Sequence, residues 1–448
     1  MIKLSYIFRY IIILAFCTPI FSFSQGFELA KGHEFQKVKF QLINNLIVIP
    51  VNVNGSQLSF LLDSGVTSPI LFNLSGQDSV QINDVREVAI KGLGEGEPIM
   101  GLSSKGNTFK IGQIKNTNQN LFVVLDKDIN YSPSLGIPVH GIIGYDLFRD
   151  FVVDINYSNQ VIKFYDPKYY KPKLSKKHEK LPLDIDNRRA YVSGNVFYRN
   201  KEEIPVRLLI DTGSSDAIWL FEDGLKGLDI PEKYYDDYLG KGLNGNIFGK
   251  RTMVEGFRLG NNSLQGPKVA FPKMENFNSL KDIGDRNGSV GGEILKRFNV
   301  VFNYSKNEII LKRNRNFKTP FQYNMSGIEL MHAGMRLVTD NLSNPGGGVV
   351  KDNGDSYGNV QILLDGTTRL SLVPEIIVSS IRMGSPADDV GLREGDLILS
   401  VNGKSVHRYK LQEVLGMINE RVGKRVKLVV ERSNKDMKFS FVLKKIFE

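Results

Sequence analysis

Two short segments carry the residue types best suited to chemistry. Phe60-Leu61-Leu62-Asp63-Ser64-Gly65 and Leu208-Leu209-Ile210-Asp211-Thr212-Gly213 lie 148 positions apart. Each sets an aspartate at the end of a mostly apolar run, followed by a small hydroxyl residue and a glycine. A lone Asp-Ser-Gly is ordinarily only a turn, because Asp and Gly tolerate tight backbone conformations. Two copies in a tandem repeat change that reading, since a pseudo-two-fold axis between them would bring Asp63 to face Asp211. Carboxylates about 3 Å apart resist double ionisation and share one proton over an acidic to near-neutral range. Such a pair offers an acid and a base side by side.

The elements that would position them repeat as well. Gly92-Leu93-Gly94 falls on Gly240-Lys241-Gly242, and Phe109-Lys110-Ile111-Gly112 on Phe257-Arg258-Leu259-Gly260, at the same spacing. One position shorter, Gly141-Ile142-Ile143-Gly144 falls on Gly288-Ser289-Val290-Gly291, and Asn156-Tyr157-Ser158 on Asn303-Tyr304-Ser305. A period this long describes two copies of one domain, not a solenoid. Within copy one, 47–53 alternates as a strand, Asn54-Gly55 is a hairpin turn signal, and 58–62 returns into Asp63. Copy two repeats this with 191–196, a polar turn at 200–202 and 204–210. Further strands are expected at 121–125, 151–155, 161–165, 300–304 and 308–312. The copies span 35–165 and 181–315, joined by a Lys-, Pro- and Tyr-rich linker at 166–180.

On these motifs, residues 40–315 resemble the lobes of bacterial aspartyl proteases of the retropepsin and pepsin kind. The resemblance implies a mainly β protein, with two tandem retropepsin-like β-barrel lobes forming a pepsin-like bilobal unit. It implies that Asp63 and Asp211 are catalytic: the ionised member activates a water, and the protonated member polarises the carbonyl of an extended polypeptide. No metal or other cofactor is needed. In the family the hydroxyl residue after each aspartate locks the two loops together; Ser64 and Thr212 match, with Gly65, Gly213 and Ser214 as loop support. A hydrophobic-hydrophobic-Gly element packs beside each loop; Ile142-Ile143-Gly144 matches it, and Ser289-Val290-Gly291 matches it less fully. Gly92, Gly94, Gly240 and Gly242 resemble flap tips, where glycine permits close backbone approach. The sequence departs from the pattern at Val66, where Ser214 stands in copy two, and the first flap carries no pepsin-type tyrosine. These departures motivate the alternative of a non-catalytic peptide-binding protein retaining the protease fold.

After Lys318 the pattern changes. Ser385-Pro386 is a helix start, with serine as cap and proline in the first turn. Gly384-Ser385-Pro386-Ala387, Gly391-Leu392, Gly395-Asp396 and Val401-Asn402-Gly403 resemble a PDZ domain, placed at 319–446. Such a domain, β-rich α+β, binds an extended peptide by adding it to a sheet edge. Met325-Ser326-Gly327-Ile328 resembles its carboxylate-binding loop, so Ser326, Gly327 and Ile328 with Leu411 on the facing helix form the expected groove for a C-terminal peptide ligand. Residues 334–372 read as a long insert, a mobile loop or a cover. The bland alternative is a PDZ domain that only packs against the lobes.

Composition narrows the remaining classes. At ~100–200 residues per domain, 448 residues suit several domains. With 41% hydrophobic and 24% charged residues the chain is ordinary globular protein. The net charge of +10 comes from 58 bases mixed among 48 acids, with no concentrated basic face for nucleic acid. Lys3 and Arg9 precede an apolar run and Ser22-Phe23-Ser24, an export signal with cleavage after Ser24. The expected destination is the periplasm or the exterior, with no membrane span in the mature chain. Cys17 offers a lipid-anchor alternative, against which the bulky Phe16 argues. It is the sole cysteine, so cleavage leaves no thiol catalyst. The five histidines form no close pair, giving no metal site. No helix pattern follows Gly92–Gly96 for a dinucleotide, and no Gly-x-Ser-x-Gly elbow supports a serine hydrolase.

Overall fold

The computed structural model describes residues 26–74, 80–172, 174–198, 203–277, 284–341, 361–364 and 368–447. The export signal with Cys17 and the turn at 200–202 lie outside these residues. The architecture is the expected one: mainly β, two repeated lobes and a C-terminal PDZ domain.

Each lobe is built around a hairpin that ends in an aspartate. Leu46–Val53 buries Leu46, Ile47, Val48, Ile49, Val51 and Val53. Asn54 and Gly55 take positive φ of 48° and 101°, the two-residue turn that matches strand twist. Ser56–Leu62 then returns, pairing Val48 with Leu61. In lobe two Arg189–Phe197 and Glu203–Ile210 repeat this, pairing Tyr191 with Leu209. The second aspartate-bearing strand is held from the other side by a parallel partner, as is the first. Gly141–Ile143 runs beside Phe60, Leu61 and Leu62, and Gly288–Val290 beside Leu208, Leu209 and Ile210. In lobe one, Ile99–Ile111 and Ile114–Val124 complete the ring, the latter pairing with Ile70–Leu71. Ile70–Leu71 in turn pairs with Gly141–Ile143, closing the lobe into a barrel.

A six-stranded sheet joins the lobes beneath the aspartates. Its order is His178–Pro182, Glu308–Arg313, Phe298–Asn303, Val152–Asn156, Val161–Tyr165, Phe35–Lys39. At its centre Val153 pairs with Phe302 and Ile155 with Val300. Phe148 packs edge-on to Phe302 at 5.0 Å and stacks on Tyr304 at 5.6 Å, so both lobes share one apolar core. The strand His178–Pro182 begins inside the span read as linker, because it is needed to cover the edge strand Glu308–Arg313.

The PDZ sheet runs Ile328–Asn341, Thr368–Ile381, Leu397–Val401, Arg425–Arg432, Lys435–Val442 around a separate core. Ser385 caps the expected helix, its hydroxyl accepting from the Asp388 N–H at 3.3 Å. The 334–372 insert departs from the expected loop. Pairing runs past the groove from Met335–Pro374 to Asn341–Thr368, with Gln361–Leu364 added at its side, so its described parts are strand. Residues 342–360 and 365–367 lie outside the described residues.

Candidate active site

The turn after each strand places an aspartate at the floor of the cleft. The Asp63 N–H donates to the Ile143 carbonyl at 2.9 Å, and the Asp211 N–H to the Val290 carbonyl at 3.0 Å. The hydrophobic-hydrophobic-Gly elements therefore hold both loops, the less regular one included. Gly144 and Gly291 are required there, since a Cβ at Gly144 would overlap the Asp63 carbonyl and one at Gly291 the Asp216 carbonyl.

Ser64 and Thr212 interlock the loops. The Ser64 N–H donates to Thr212 Oγ1 at 2.9 Å, and the Thr212 N–H to Ser64 Oγ at 3.1 Å. Each hydroxyl donates onward across the boundary, Ser64 Oγ to the Ile210 carbonyl at 2.6 Å and Thr212 Oγ1 to the Leu62 carbonyl at 2.7 Å. Both side chains are buried. The loops are thus fixed to each other and not merely to their own lobes.

The result is a hydrogen bond between the Asp63 and Asp211 carboxyl groups. Gly65 and Gly213 lie directly against the pair; a Cβ at Gly213 would overlap the Asp63 carboxyl. Gly65 donates its N–H to Asp63 Oδ1 at 2.7 Å, and Gly213 its N–H to Asp211 Oδ1 at 3.0 Å. The next backbone N–H on each side, from Val66 and Ser214, donates to the main-chain carbonyl of its aspartate at 3.3 Å. Val66 and Ser214 therefore supply the same group, and the missing hydroxyl at 66 removes no backbone support.

The two carboxyls are not equivalent. Burial and then the Asp211 charge push Asp63 up to about 8. Burial raises Asp211 as well, but the Arg286 guanidinium opposes that rise, and the hydrogen bond from Asp63 favours its ionised form. The Arg286 charge therefore favours Asp211 as the ionised member of the pair and Asp63 as the holder of a shared proton.

The two glycine-rich tips meet. The tip at 91–98 and the turn between Tyr235–Gly242 and Gly245–Met253 are joined through Asn244. Its Oδ1 accepts from the Gly92 N–H, its carbonyl accepts from the Gly96 N–H at 2.6 Å, and its own N–H donates to the Leu93 carbonyl at 2.9 Å. Its side-chain amide donates to the Glu97 carbonyl at 2.6 Å. Gly92, Gly94 and Gly242 sit at this crossing, where a Cβ would overlap Leu243, Asn244 or Leu93; Gly240, with φ of 150°, lies at a bulge below it. Each tip leucine crosses to the other lobe. Leu243 packs on the lobe-one cluster of Leu46, Val48, Ile70, Phe72 and Val139, and Leu93 on the lobe-two cluster of Trp219, Phe221, Leu239 and Phe277.

The PDZ groove residues are also brought together. Ser326, Gly327 and Ile328 lead into the edge strand, with Leu411 opening the helix Leu411–Ile418 opposite. All three backbone N–H groups already have acceptors: Asn419 Oδ1 for Ser326, Asn324 Oδ1 for Gly327 and Ser326 Oγ for Ile328, at 2.9, 2.9 and 3.2 Å. The short helix Ser132–Leu135 of lobe one lies against the edge strand. A Cβ on Gly136, which ends it with φ of 70°, would be 3.0 Å from Leu411 Cβ and 3.4 Å from His332. On the other side Phe447 stacks on Tyr235 of the lobe-two flap at 5.8 Å, and Arg382 lies 4.5 Å over the same ring.

Residues 49–147 match the family model described as aspartyl protease, and residues 377–432 the one described as PDZ domain. The chain joins an aspartyl-protease fold to a C-terminal PDZ domain. The first match spans Asp63 and the Ile142-Ile143-Gly144 element; lobe two follows from the internal repeat. This protease–PDZ chain is 39% identical over 61 residues to protease Do-like 14 of Arabidopsis thaliana, 14% of this chain and 12% of that protein. It is 39% identical over 59 residues to the carboxy-terminal processing protease CtpA of Bacillus subtilis (strain 168), 13% of each. It therefore spans only 12–13% of the length of these curated relatives. The crystal structure of an aspartic proteinase from Irpex lacteus aligns with 64% of this chain and 99% of its own, at 14% identity and a TM-score of 0.40. Among the described residues no group of three or more His, Cys, Asp or Glu could hold a metal ion, and no helix is long and apolar enough to cross a membrane.

Two residues of the site escape motif reading. Asn244 is half of an Asn244-Gly245 pair, a turn signal that marks a hairpin tip. Arg286 has only the repeat to betray it: it aligns with Val139.

Proposed function

We propose that the chain is an exported aspartic-type endopeptidase acting on extended polypeptides. The observation that carries this reading is the hydrogen-bonded pair Asp63 and Asp211, each carboxylate accepting from one backbone N–H and the loops locked by Ser64 and Thr212. In the proposed reaction Asp211, ionised and nearer the Arg286 charge, takes a proton from a water poised between the carboxyls. The water oxygen bonds to the peptide carbonyl carbon, while Asp63 donates its proton to the carbonyl oxygen. Collapse of the tetrahedral adduct breaks the C–N bond as the proton held by Asp211 passes to the leaving amine and one hydroxyl of the adduct returns its proton to Asp63. The apolar clusters under each flap suit side chains of a strand lying between the lobes.

The flap tips are bonded to each other through Asn244, so in this reading a strand entering between the lobes requires those contacts to open. That closure favours a second reading, a non-catalytic peptide-binding protein of the same fold. Asp63→Asn and Asp211→Asn decide between them. Each should abolish hydrolysis of an unstructured protein across about pH 3–8 while the protein stays folded by circular dichroism. Undiminished hydrolysis in either variant sinks the peptidase.

The PDZ groove is proposed to take a polypeptide C-terminus and so tether substrate near the cleft. Short tethers give effective concentrations of order mM. An incoming tail must displace the 132–136 turn and exchange the side-chain acceptors on Ser326, Gly327 and Ile328. Export to the periplasm or beyond rests on the N-terminal 24 residues, and secretion of a reporter fused to them is its test.

A further inference from the structure

The two walls of the cleft are built from equivalent positions filled with different chemistry. Strand register aligns Val48 with Tyr191 through their partners Leu61 and Leu209, and hence Leu46 with Arg189. Pairing to the parallel strand aligns Ile70 with Trp219 and Leu71 with Leu220, so Phe72 answers to Phe221. The bonds from the Phe72 N–H to the His140 carbonyl and from the Phe221 N–H to the Asn287 carbonyl agree, and make Val139 the counterpart of Arg286. In lobe one five of these six positions, Leu46, Val48, Ile70, Phe72 and Val139, belong to one apolar cluster. In lobe two, two of the five are arginine.

Arg286 is half-buried, with its guanidinium 5.3 Å over the Phe221 ring. Its Nε donates to the Gly288 carbonyl at 2.8 Å. Among the described residues no carboxylate forms an ion pair with Arg286 or Arg189. The adjacent Asp285 is taken instead by Arg207, which also binds Asp184. Arg189 reaches across the lobe boundary, its Nε 3.4 Å from the Gly65 carbonyl beside the dyad. Arg286 lies within the electrostatic reach of Asp211, Tyr191 and Arg189, and burial pulls it down to about 10. Beyond the longer-range attraction of Asp211, no carboxylate is bonded to this half-buried guanidinium, so its fork keeps N–H donors for one.

We propose that Arg286, assisted by Arg189, makes the lobe-two wall a carboxylate-accepting subsite, so that the substrate presents an acidic group there and an apolar side chain to lobe one. The acidic group is an Asp or Glu side chain or a free chain terminus; an arginine fork binds either. This inference rests on the peptidase reading for its position along the substrate. Arg286 is thus a specificity-determining residue whose charge also favours the ionised form of Asp211.

The test maps the bonds cut in an unfolded protein by mass spectrometry, then compares peptides that differ only by Glu, Gln or Lys at the lobe-two position. Wild type should prefer Glu over Gln by about tenfold or more in kcat/KM, the scale of a charge-assisted hydrogen bond. In Arg286→Gln the ratio should fall to about one, and in Arg286→Glu it should turn to favour Lys. Because each ratio is taken within one protein, a general loss of activity does not imitate the effect. Peptides with free or amidated ends separate side chain from terminus. A wild-type ratio near one, or a ratio that survives in Arg286→Gln, overturns the proposal. The same peptides are bound to Asp63→Asn protein and followed by fluorescence anisotropy. Preference for Glu in binding without hydrolysis by wild type would retain the subsite and reject the peptidase; hydrolysis without preference would do the reverse.

Discussion

Ser64 and Thr212 each use the other as acceptor: the backbone N–H of one meets the hydroxyl of the other, at 2.9 and 3.1 Å. The same hydroxyls donate to the carbonyls just before the opposite aspartate. Removing one hydroxyl therefore orphans a buried N–H and a buried carbonyl together.

Thr212→Val should cost about 2–6 kcal/mol, since each of the two buried polar groups left unpaired costs about 1–3 kcal/mol. Urea unfolding measures this. Thr212→Ser, which keeps the hydroxyl, should recover most of the stability and of the turnover. A Thr212→Val protein as stable as wild type would mean that the loops are held by the interlobe sheet alone.

The protonation of the pair sets the pH profile. Asp63 is raised, so its proton is present at neutral pH and lost as pH climbs through about 8; the basic limb of kcat/KM should fall there. Arg286 lowers Asp211, so Arg286→Gln should move the acidic limb to higher pH, narrowing the bell from its acid side. A profile unchanged on that side would show that Arg286 does not act on Asp211.

Flap closure should depend on Asn244. Asn244→Ala removes the bonds to the Gly92 N–H and the Glu97 carbonyl. Two such bonds are worth about 1–3 kcal/mol together, so amide exchange at Gly92 should quicken by roughly tenfold to a hundredfold. Exchange in the interlobe sheet at 152–156 should stay unchanged.

The groove and the lobe-one turn exclude each other in space. Gly136→Leu places a side chain against Leu411 and His332 at a residue with φ of 70°, a backbone that costs a substituted residue about 1–2 kcal/mol. Exchange at 328–332 should rise as the turn leaves. Gly327→Leu, with φ of 79° and a Cβ overlapping Ser385, should raise KM for tailed proteins and spare short internal peptides. Equal effects on both substrates would remove the tethering role.

Much of this protein is legible along the chain because strands announce themselves locally. Alternation in 46–53, the Asn54-Gly55 turn and the apolar run into Asp63 need no distant partner, and the repeat makes the second copy equally plain. The PDZ core declares itself through Ser385-Pro386 and the glycines that follow. What the tertiary structure decided lies between copies. Whether Asp63 meets Asp211 depends on Val153 pairing with Phe302 beneath them, and no periodicity in either segment encodes that pairing. The 334–372 insert proved to be strand where described, since its partners lie across the hairpin at 368–374. The counterpart relation of Val139 and Arg286, the Asn244 crossing and the turn seated at Leu411 are likewise contacts between segments remote in sequence. Local residue patterns set which backbone forms; the placement of one lobe against the other sets which side chains can react.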